Sequence, residues 1–394
     1  MHKYKLRTTG MITVAALATG VLAGGVASAA TSRSSSPIII GTVVGTTGAY
    51  GATGQSIVDG AKVAVNYLNA HGGLLGRQVK LEWYNDNASA TLSSQEFQRL
   101  VSAGAVAITG SSDTGPATAA EADRYHIPDV GIVDDGGPTI YPNGVGTAPL
   151  PWVYEYSPDN YAIGAKFAQY ALAKCKGFAL LHDSTTYGEG ASQAIAAAYK
   201  KAGKSLAVDD TITENWSTGA TVGLTSEINK IKASGANCVD VWLTPQDDAA
   251  FDQQMQSLGD HFTIFGNDES YATPTYVQLA GKLANGTISA MLTVELHPTA
   301  AYKSFAKLYD AAWKQQPGIY AGATWDAIMM VAKAITTSHS TSATAIQKAL
   351  NHMSNFPGTT GTLGFTVQNH QTIGVSQLTL VRYNASTKSW KPLG

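Results

Sequence analysis

From Ile38 onward, short apolar runs alternate with longer segments in which apolar residues recur every three or four positions. The first kind reads as buried strand and the second as amphipathic helix. Strands are expected at 38–44, 79–84, 105–109 and 130–133, with helices at 55–68, 92–101 and 117–125 between them. A stretch rich in Gly and Pro, 134–151, interrupts the alternation, and a crossing strand at 152–156 follows. The pattern then restarts with helix 160–173, strand 178–182, helix 189–201, strand 206–212, helix 221–233, strand 238–243, helix 247–258 and strand 263–265. A strand near 287–294, helices at about 299–315 and 321–336, and a strand at 375–383 complete it. Strand–helix alternation implies parallel sheets covered on both faces. The fold class is therefore α/β, with two doubly wound parallel-sheet lobes. Chain crossings near 155–158, 293–297 and 360–365 would act as three hinges around a cleft. On that reading lobe 1 comprises 37–155 plus 296–362, and lobe 2 comprises 156–295 plus 363–394.

Length supports two cores, since 394 residues exceed one ordinary domain. A hydrophobic content of 44% with only 14% charged residues excludes a disordered chain. Residues 1–29 stand outside the alternation. Lys3, Lys5 and Arg7 precede an apolar run that ends in Ala27-Ser28-Ala29, the form of a secretory signal peptide cleaved before Ala30. A membrane anchor is the alternative, but the run is short and interrupted by glycine. Removing the leader takes away three basic residues and no acids, moving the formal charge from −2 to −5. That balance, without a basic patch, argues against nucleic acid as a partner. No cysteine lies near the cleavage point for lipid attachment, so a periplasmic or freely secreted protein is expected. Cys175 and Cys238 each precede an expected strand. If those strands are neighbours in a doubly wound sheet, the two thiols meet; otherwise they are two buried free thiols.

Ligands of open α/β sheets sit outside the carboxyl ends of the strands, against helix N-termini. The loops there carry the polar groups. The first, 45–56, offers Tyr50 and Thr53 among four glycines, but lacks the spacing of a phosphate or dinucleotide loop. In the second, Ser111 and Ser112 open a helix and could hold a carboxylate or merely cap the helix. The third places Asp134 and Asp135 before Gly136, and the fourth contains Asp268 and Glu269. A fifth, His182-Asp183-Ser184-Thr185-Thr186-Tyr187-Gly188-Glu189-Gly190, offers the Tyr187 hydroxyl beside Gly188, where backbone could approach a ligand.

Catalytic patterns are missing: there is no G-x-S-x-G, H-E-x-x-H or C-x-x-C. His182 and Asp183 are adjacent on a strand end and point apart, so they do not make a dyad. The nine histidines lack ligand spacing, so neither metal nor cofactor is expected.

The fifth loop resembles the H-D-x-x-x-Y-G-x-G signature of the leucine/isoleucine/valine-binding proteins of bacterial ABC importers. Thr47-Gly48-Ala49-Tyr50-Gly51, Asn69-Ala70-His71-Gly72-Gly73 and Gly110-Ser111-Ser112 with Pro116 support the resemblance, in order, over about 230 residues. It implies a non-catalytic, monomeric binding protein of the type I periplasmic fold. Such a protein closes on an amino-acid-like ligand and delivers it to a membrane permease. By the same resemblance, Ser111 would hold the ligand's carboxylate, Tyr187 would line the pocket and Asp268 would take the ammonium. Thr53 and Tyr50 would belong to the first wall, while Tyr320 and Trp325 would close the side-chain pocket. Glu269 is one register from Asp268.

One departure is sharp. Where the family has small neutral residues after its fourth strand, this chain has Asp134, Asp135 and Gly136. An ionised acid ~4 Å from a ligand carboxylate would repel it by ~4 kcal/mol at an effective dielectric near 20. Either these acids point away, or the ligand is a basic amino acid, an amide or urea, or a small organic acid. A ligand-sensing receptor of the same fold and a hydrolase using Ser111 or Ser112 with His182 are the rival functions.

Overall fold

The computed structural model describes residues 36–393 apart from 112, 113 and 135, so the expected leader lies outside the described residues. The first run of elements is β1 (Ile38–Val43), α1 (Gly51–Ala70), β2 (Val79–Tyr84), α2 (Ala90–Ser102), β3 (Ala105–Thr109), α3 (Gly115–Tyr125), β4 (Asp129–Asp134), α4 (Gly136–Ile140) and β5 (Val153–Asp159). A second run begins with α5 (Asn160–Lys174), β6 (Phe178–Asp183), α6 (Thr186–Lys201), β7 (Val208–Ile212), α7 (Thr225–Ser234) and β8 (Cys238–Trp242). It continues through α8 (Pro245–Ser257), β9 (Thr263–Gly266), α9 (Glu269–Ala272), α10 (Thr275–Ala280) and β10 (Ile288–Leu292). The chain returns through α11 (Thr293–Leu296), α12 (Ala300–Trp313), α13 (Ile319–Ser338) and α14 (Ala343–Leu350). It then passes through a hairpin of β11 (Phe356–Pro357) and β12 (Thr362–Leu363), then β13 (Gln371–Ile373), β14 (Leu378–Asn384) and β15 (Ser389–Pro392).

Two sheets result, of order β2-β1-β3-β4-β5-β13 and β7-β6-β8-β9-β10-β14-β15. Every pairing in the first is parallel, whereas the second turns antiparallel only at β14 and β15. Both orders are doubly wound, and each brings its strand carboxyl ends to one edge. Strands buried on both faces explain the continuous apolar runs: all six residues of β6, Phe178–Asp183, are buried. Helices cover the faces at close range. A Cβ on Gly164 of α5 would lie 2.5 Å from the carbonyl oxygen of Ala191 in α6, so only glycine allows that crossing.

The hinge positions differ in two places from the sequence expectation. β5 stays in the first sheet through Asp159, so the first crossing follows that residue rather than 155–158. β13 pairs in parallel with β5, which puts 371–373 in the first sheet and the third crossing between Ile373 and Leu378, not at 360–365. The reason is local. His370 stacks on Tyr154 with ring centroids 4.2 Å apart, and the Gln371 amide donates to Glu155 at 2.8 Å and Asp159 at 2.9 Å. So short and polar a strand has no hydrophobic alternation to announce it. The second crossing coincides with α11, where Thr293 shares a 2.7 Å hydroxyl hydrogen bond with Thr379. Helix α1 also begins earlier than periodicity suggests, at Gly51, which turns Thr53 from a loop residue into a first-turn residue.

Cys175 follows α5 and Cys238 opens β8, beside β6 in the second sheet; the two are joined by a disulfide with Cα atoms 5.9 Å apart. The bridge closes a span of 63 residues. By the loop-entropy relation, that span restricts the unfolded chain by about 4 kcal/mol. Reduction, or the Cys175→Ala/Cys238→Ala pair, is expected to lower the calorimetric melting temperature without altering the fold; an unchanged melting point would show the bridge carries no stability.

The second lobe also buries acids. Asp252 of α8 accepts a 2.7 Å hydrogen bond from the Tyr276 hydroxyl, and burial pushes its carboxyl up to about 7. Asp248 is raised well above its ordinary range by burial and by the neighbouring Glu214 and Asp252. The folded chain therefore keeps protons that an unfolded carboxylate releases near pH ~4. The resulting stability is fully present below about pH 4 and is lost as pH rises toward 7. Urea titrations should give a higher midpoint at pH 5 than at pH 8, with the difference reduced in Asp252→Asn. A midpoint that rises between those pH values would contradict this sign.

Candidate functional site

The carboxyl ends of both sheets face one another across the crossings, and side chains from both lobes meet there. Asp268 follows β9 and lies at the start of α9. Its Oδ1 accepts from the Tyr187 hydroxyl at 3.1 Å, and its Oδ2 accepts from the Tyr320 hydroxyl. Tyr187 opens α6 in the second lobe, whereas Tyr320 opens α13, which packs on the first sheet and α1. One carboxylate thus holds both lobes. Beside it, both oxygens of Glu269 accept from Thr53 Oγ1, at 2.9 and 2.8 Å. Thr53, Tyr187, Asp268, Glu269 and Tyr320 are all buried. Charge-assisted hydrogen bonds of this kind are worth ~1.5–3 kcal/mol each, which offsets part of the desolvation of the two acids.

An aromatic group adjoins the acids. The Tyr50 ring lies 4.8 Å from that of Trp216 and meets Tyr187 edge-on at 6.0 Å. Trp216 meets Tyr187 edge-on at 5.5 Å. Trp216 sits in the loop between β7 and α7, and its carbonyl accepts from Ala49 N at 3.0 Å, a third bond between the lobes. Its indole Nε1 has no hydrogen-bond partner among the described residues. Sequence reasoning overlooked Trp216. The available signal was its position just beyond an expected strand end, in the same kind of loop as Tyr187.

The other expected residues divide. Ser111, at the end of β3, is fully buried, and its Oγ lacks a partner among the described residues. Ser112 and Asp135 lie outside the described residues. Asp134 ends β4 and Gly136 opens α4, where Gly137 N donates to Asp159 Oδ1 at 3.2 Å. Trp325 does not join Tyr320. Five residues further along α13 is about 140° around the helix. Its ring packs instead on Tyr67 and Phe305, at 5.2 and 5.1 Å, away from the acids. Gly188 is likewise spoken for by its own loop. A Cβ there would lie 2.7 Å from Asp183 N, and Gly188 N donates to Asp183 Oδ1 at 2.9 Å. The same carboxylate accepts from Thr185 N at 3.0 Å. The H-D-x-x-x-Y-G signature is therefore a turn built around Asp183 that delivers Tyr187. His182 Nε2 lies 3.4 Å from Asp209 and from Thr211, which ties its ring to β7. At the start of α3, Thr114 donates to Asp86 at 2.7 Å instead of capping the helix.

Groups of three or more metal-ligating side chains do not occur among the described residues, nor does a helix long and apolar enough to cross a membrane. The arrangement can hold a small polar molecule between acids, hydroxyls and rings contributed by both lobes.

Known proteins share this architecture. A structure of a type 1 periplasmic binding protein from Bordetella pertussis superposes with a TM-score of 0.84 at 20% identity, covering 91% of this chain and all of that one. LivJ of Streptococcus pneumoniae, solved in complex with isoleucine, gives 0.76 at 20% identity over 91% of this chain and 99% of its own. Among curated sequences, the Leu/Ile/Val-binding protein homolog 3 of Brucella melitensis is 24% identical over 258 residues. That stretch is 64% of this chain and 66% of the relative, just under two thirds of its length. A family model for periplasmic binding proteins matches residues 37–388. The chain belongs to the periplasmic binding protein family, with the two-lobed fold of its type I members.

Proposed function

We propose that this chain is the extracytoplasmic substrate-binding component of an ABC importer, which captures an amino-acid-like ligand between its lobes and presents the closed form to a permease. The observation that carries this reading is Asp268, an acid held by one hydroxyl from each lobe. An ammonium group is the natural occupant of such a position, because a buried carboxylate is best offset by a paired charge. Ser111 would face the ligand's carboxylate, with Thr53, Tyr50, Glu269 and the turn at Gly136 completing the walls. The chemistry is binding alone.

Closure follows from the same bonds. A ligand shifts the open–closed equilibrium only by what it gains in the closed form over the open one. Thr53–Glu269, Tyr320–Asp268 and Ala49–Trp216 exist only when the lobes meet, so a ligand joining them is bound most tightly in the closed form.

A ligand that binds the native state raises its melting temperature, by ~2.7 kcal/mol of stability at a hundred times Kd. In a thermal-shift screen of neutral and basic amino acids, amides and small carboxylates, at least one compound should raise the melting point. Tyr187→Phe and Asp268→Asn should each weaken that compound's binding at least tenfold, with circular dichroism showing the ligand-free fold retained at the assay temperature. If the whole panel is silent, or affinity survives both substitutions, the reading fails.

A further inference from the structure

We propose that the second lobe carries a separate binding pocket for a flat aromatic carboxylate, between α9, α10 and the β14–β15 hairpin. The cavity there measures about 730 Å³, within the range of small-molecule sites. It is distinct from the cleft: none of Thr53, Tyr187, Asp268, Glu269 and Tyr320 lines it. Its walls are the rings of Tyr271, Tyr383 and Trp390 with Val277, and two ammonium groups, Lys282 and Lys388, border it.

The rings form a corner. Tyr383 and Trp390 lie opposite each other in the antiparallel register of the hairpin, with centroids 5.1 Å apart and planes inclined at 52°. Tyr271 meets Trp390 edge-on, at 6.5 Å and 79°. Aromatic rings attract one another in offset-stacked or edge-to-face pairs. A flat guest in such a corner stacks on one ring while meeting the next with its edge. A puckered aliphatic ring has no quadrupole to offer either wall.

The corner is set before any guest arrives. Tyr383 and Trp390 belong to an apolar cluster with Tyr276, Ala280 and Ala284, beneath the cavity floor. Tyr276 is fixed in turn by hydrogen bonds to Asp252 and Thr287, both 2.7 Å. Rings held in this way lose little freedom on binding, which favours affinity.

Charge specifies the rest of the guest. Lys282 stands in the short 3-10 turn Gly281–Ala284, and Lys388 in the turn between β14 and β15. Neither forms an ion pair among the described residues, whereas Lys62, Lys80, Lys230 and Lys232 each pair with an acid. Segments 270–286 and 375–394, which build the pocket, contain no Asp or Glu, although the chain as a whole is net negative. One exposed lysine asks for nothing, since water satisfies it. Two at the mouth of one ring-lined cavity without an acid favour a guest that brings the negative charge itself. An inorganic anion would leave the rings unused, and a neutral aromatic would leave the ammonium groups unused.

Isothermal titration of the purified chain with 2-naphthoate, 2-naphthamide, cyclohexanecarboxylate and inorganic phosphate tests this. The naphthoate should bind about tenfold more tightly than each of the other three. The Lys282→Gln/Lys388→Gln pair, exposed positions whose exchange leaves the fold intact, should weaken it about tenfold. Trp390→Leu should do the same, with circular dichroism to verify the fold; if that variant unfolds, the lysine pair decides. Asp268→Asn should leave naphthoate affinity unchanged. Absence of naphthoate binding overturns the proposal. So does equal binding of the amide, of the saturated acid or of phosphate, and so does full affinity in the lysine pair. Loss of binding in Asp268→Asn places the molecule in the cleft and overturns the separate pocket.

Discussion

A buried carboxylate has to be satisfied, and Asp268 is satisfied by reaching across the molecule. One of its oxygens takes the Tyr187 hydroxyl from its own lobe, and the other takes the Tyr320 hydroxyl from the opposite lobe. Each lobe alone would leave one lone-pair set to water. Closure therefore exchanges water for hydroxyl donors, a modest net gain per bond. Glu269 repeats the arrangement through Thr53. The parallel sheets make this convergence possible, because every strand of β6-β8-β9 and of β1-β3-β4 ends on the edge that faces the other lobe.

This economy sets the terms on which a ligand binds. On the proposed reading, an ammonium entering between the lobes would compete with hydroxyls that already serve the acids, so it would gain only the difference between a charge and a dipole as partner. That difference is large in a dry site and small in a wet one. Trp216 bears on which applies. Its ring lies over Tyr50 and against Tyr187, and its carbonyl fastens the loop to Ala49. On the proposed reading, affinity would depend as much on the loop that carries Trp216 as on the carboxylates beside it.

Strands and helices were legible because burial on both faces leaves uninterrupted apolar runs such as Phe178–Leu181, and those runs locate the loops that follow them. Ser111, Tyr187 and Asp268 stand out through their positions in such loops and through the family resemblance, and the last two meet where the lobes join. Trp216 was not, since a single aromatic in a loop has no period and makes no motif. Trp325 was assigned to the wrong face because proximity in sequence to Tyr320 says nothing about its angle around α13. The third crossing was misplaced for a related reason. β13 is held by His370 stacking and by the Gln371 amide on two acids, interactions between residues more than 200 positions apart. Gly188 showed a real constraint with the wrong partner: the close approach is to Asp183, within its own turn.

The acids behind the cleft complete the account, because they position the loops that carry the site. Asp248 Oδ2 accepts from Asn267 Nδ2 at 3.0 Å and from Ser270 Oγ at 3.3 Å, the residues on either side of Asp268 and Glu269. Glu214, two residues before Trp216, accepts from Thr244 N at 2.9 Å, and Asp247 takes Val222 N at 2.7 Å from the other end of the same loop. Burial, followed by the hydrogen bond it shares with Asp247, raises the Glu214 carboxyl well above its usual range, and burial does the same to Asp248. Burial thus favours the protonated form of both, in which they brace the two loops through these hydrogen bonds. If ionised together they would repel one another within the segments that carry Asp268 and Trp216. The positions of Asp268 and Trp216 are thus tied to acids buried behind them, and on the proposed reading the second lobe is less a passive half of a clamp than the part that sets the geometry of the site.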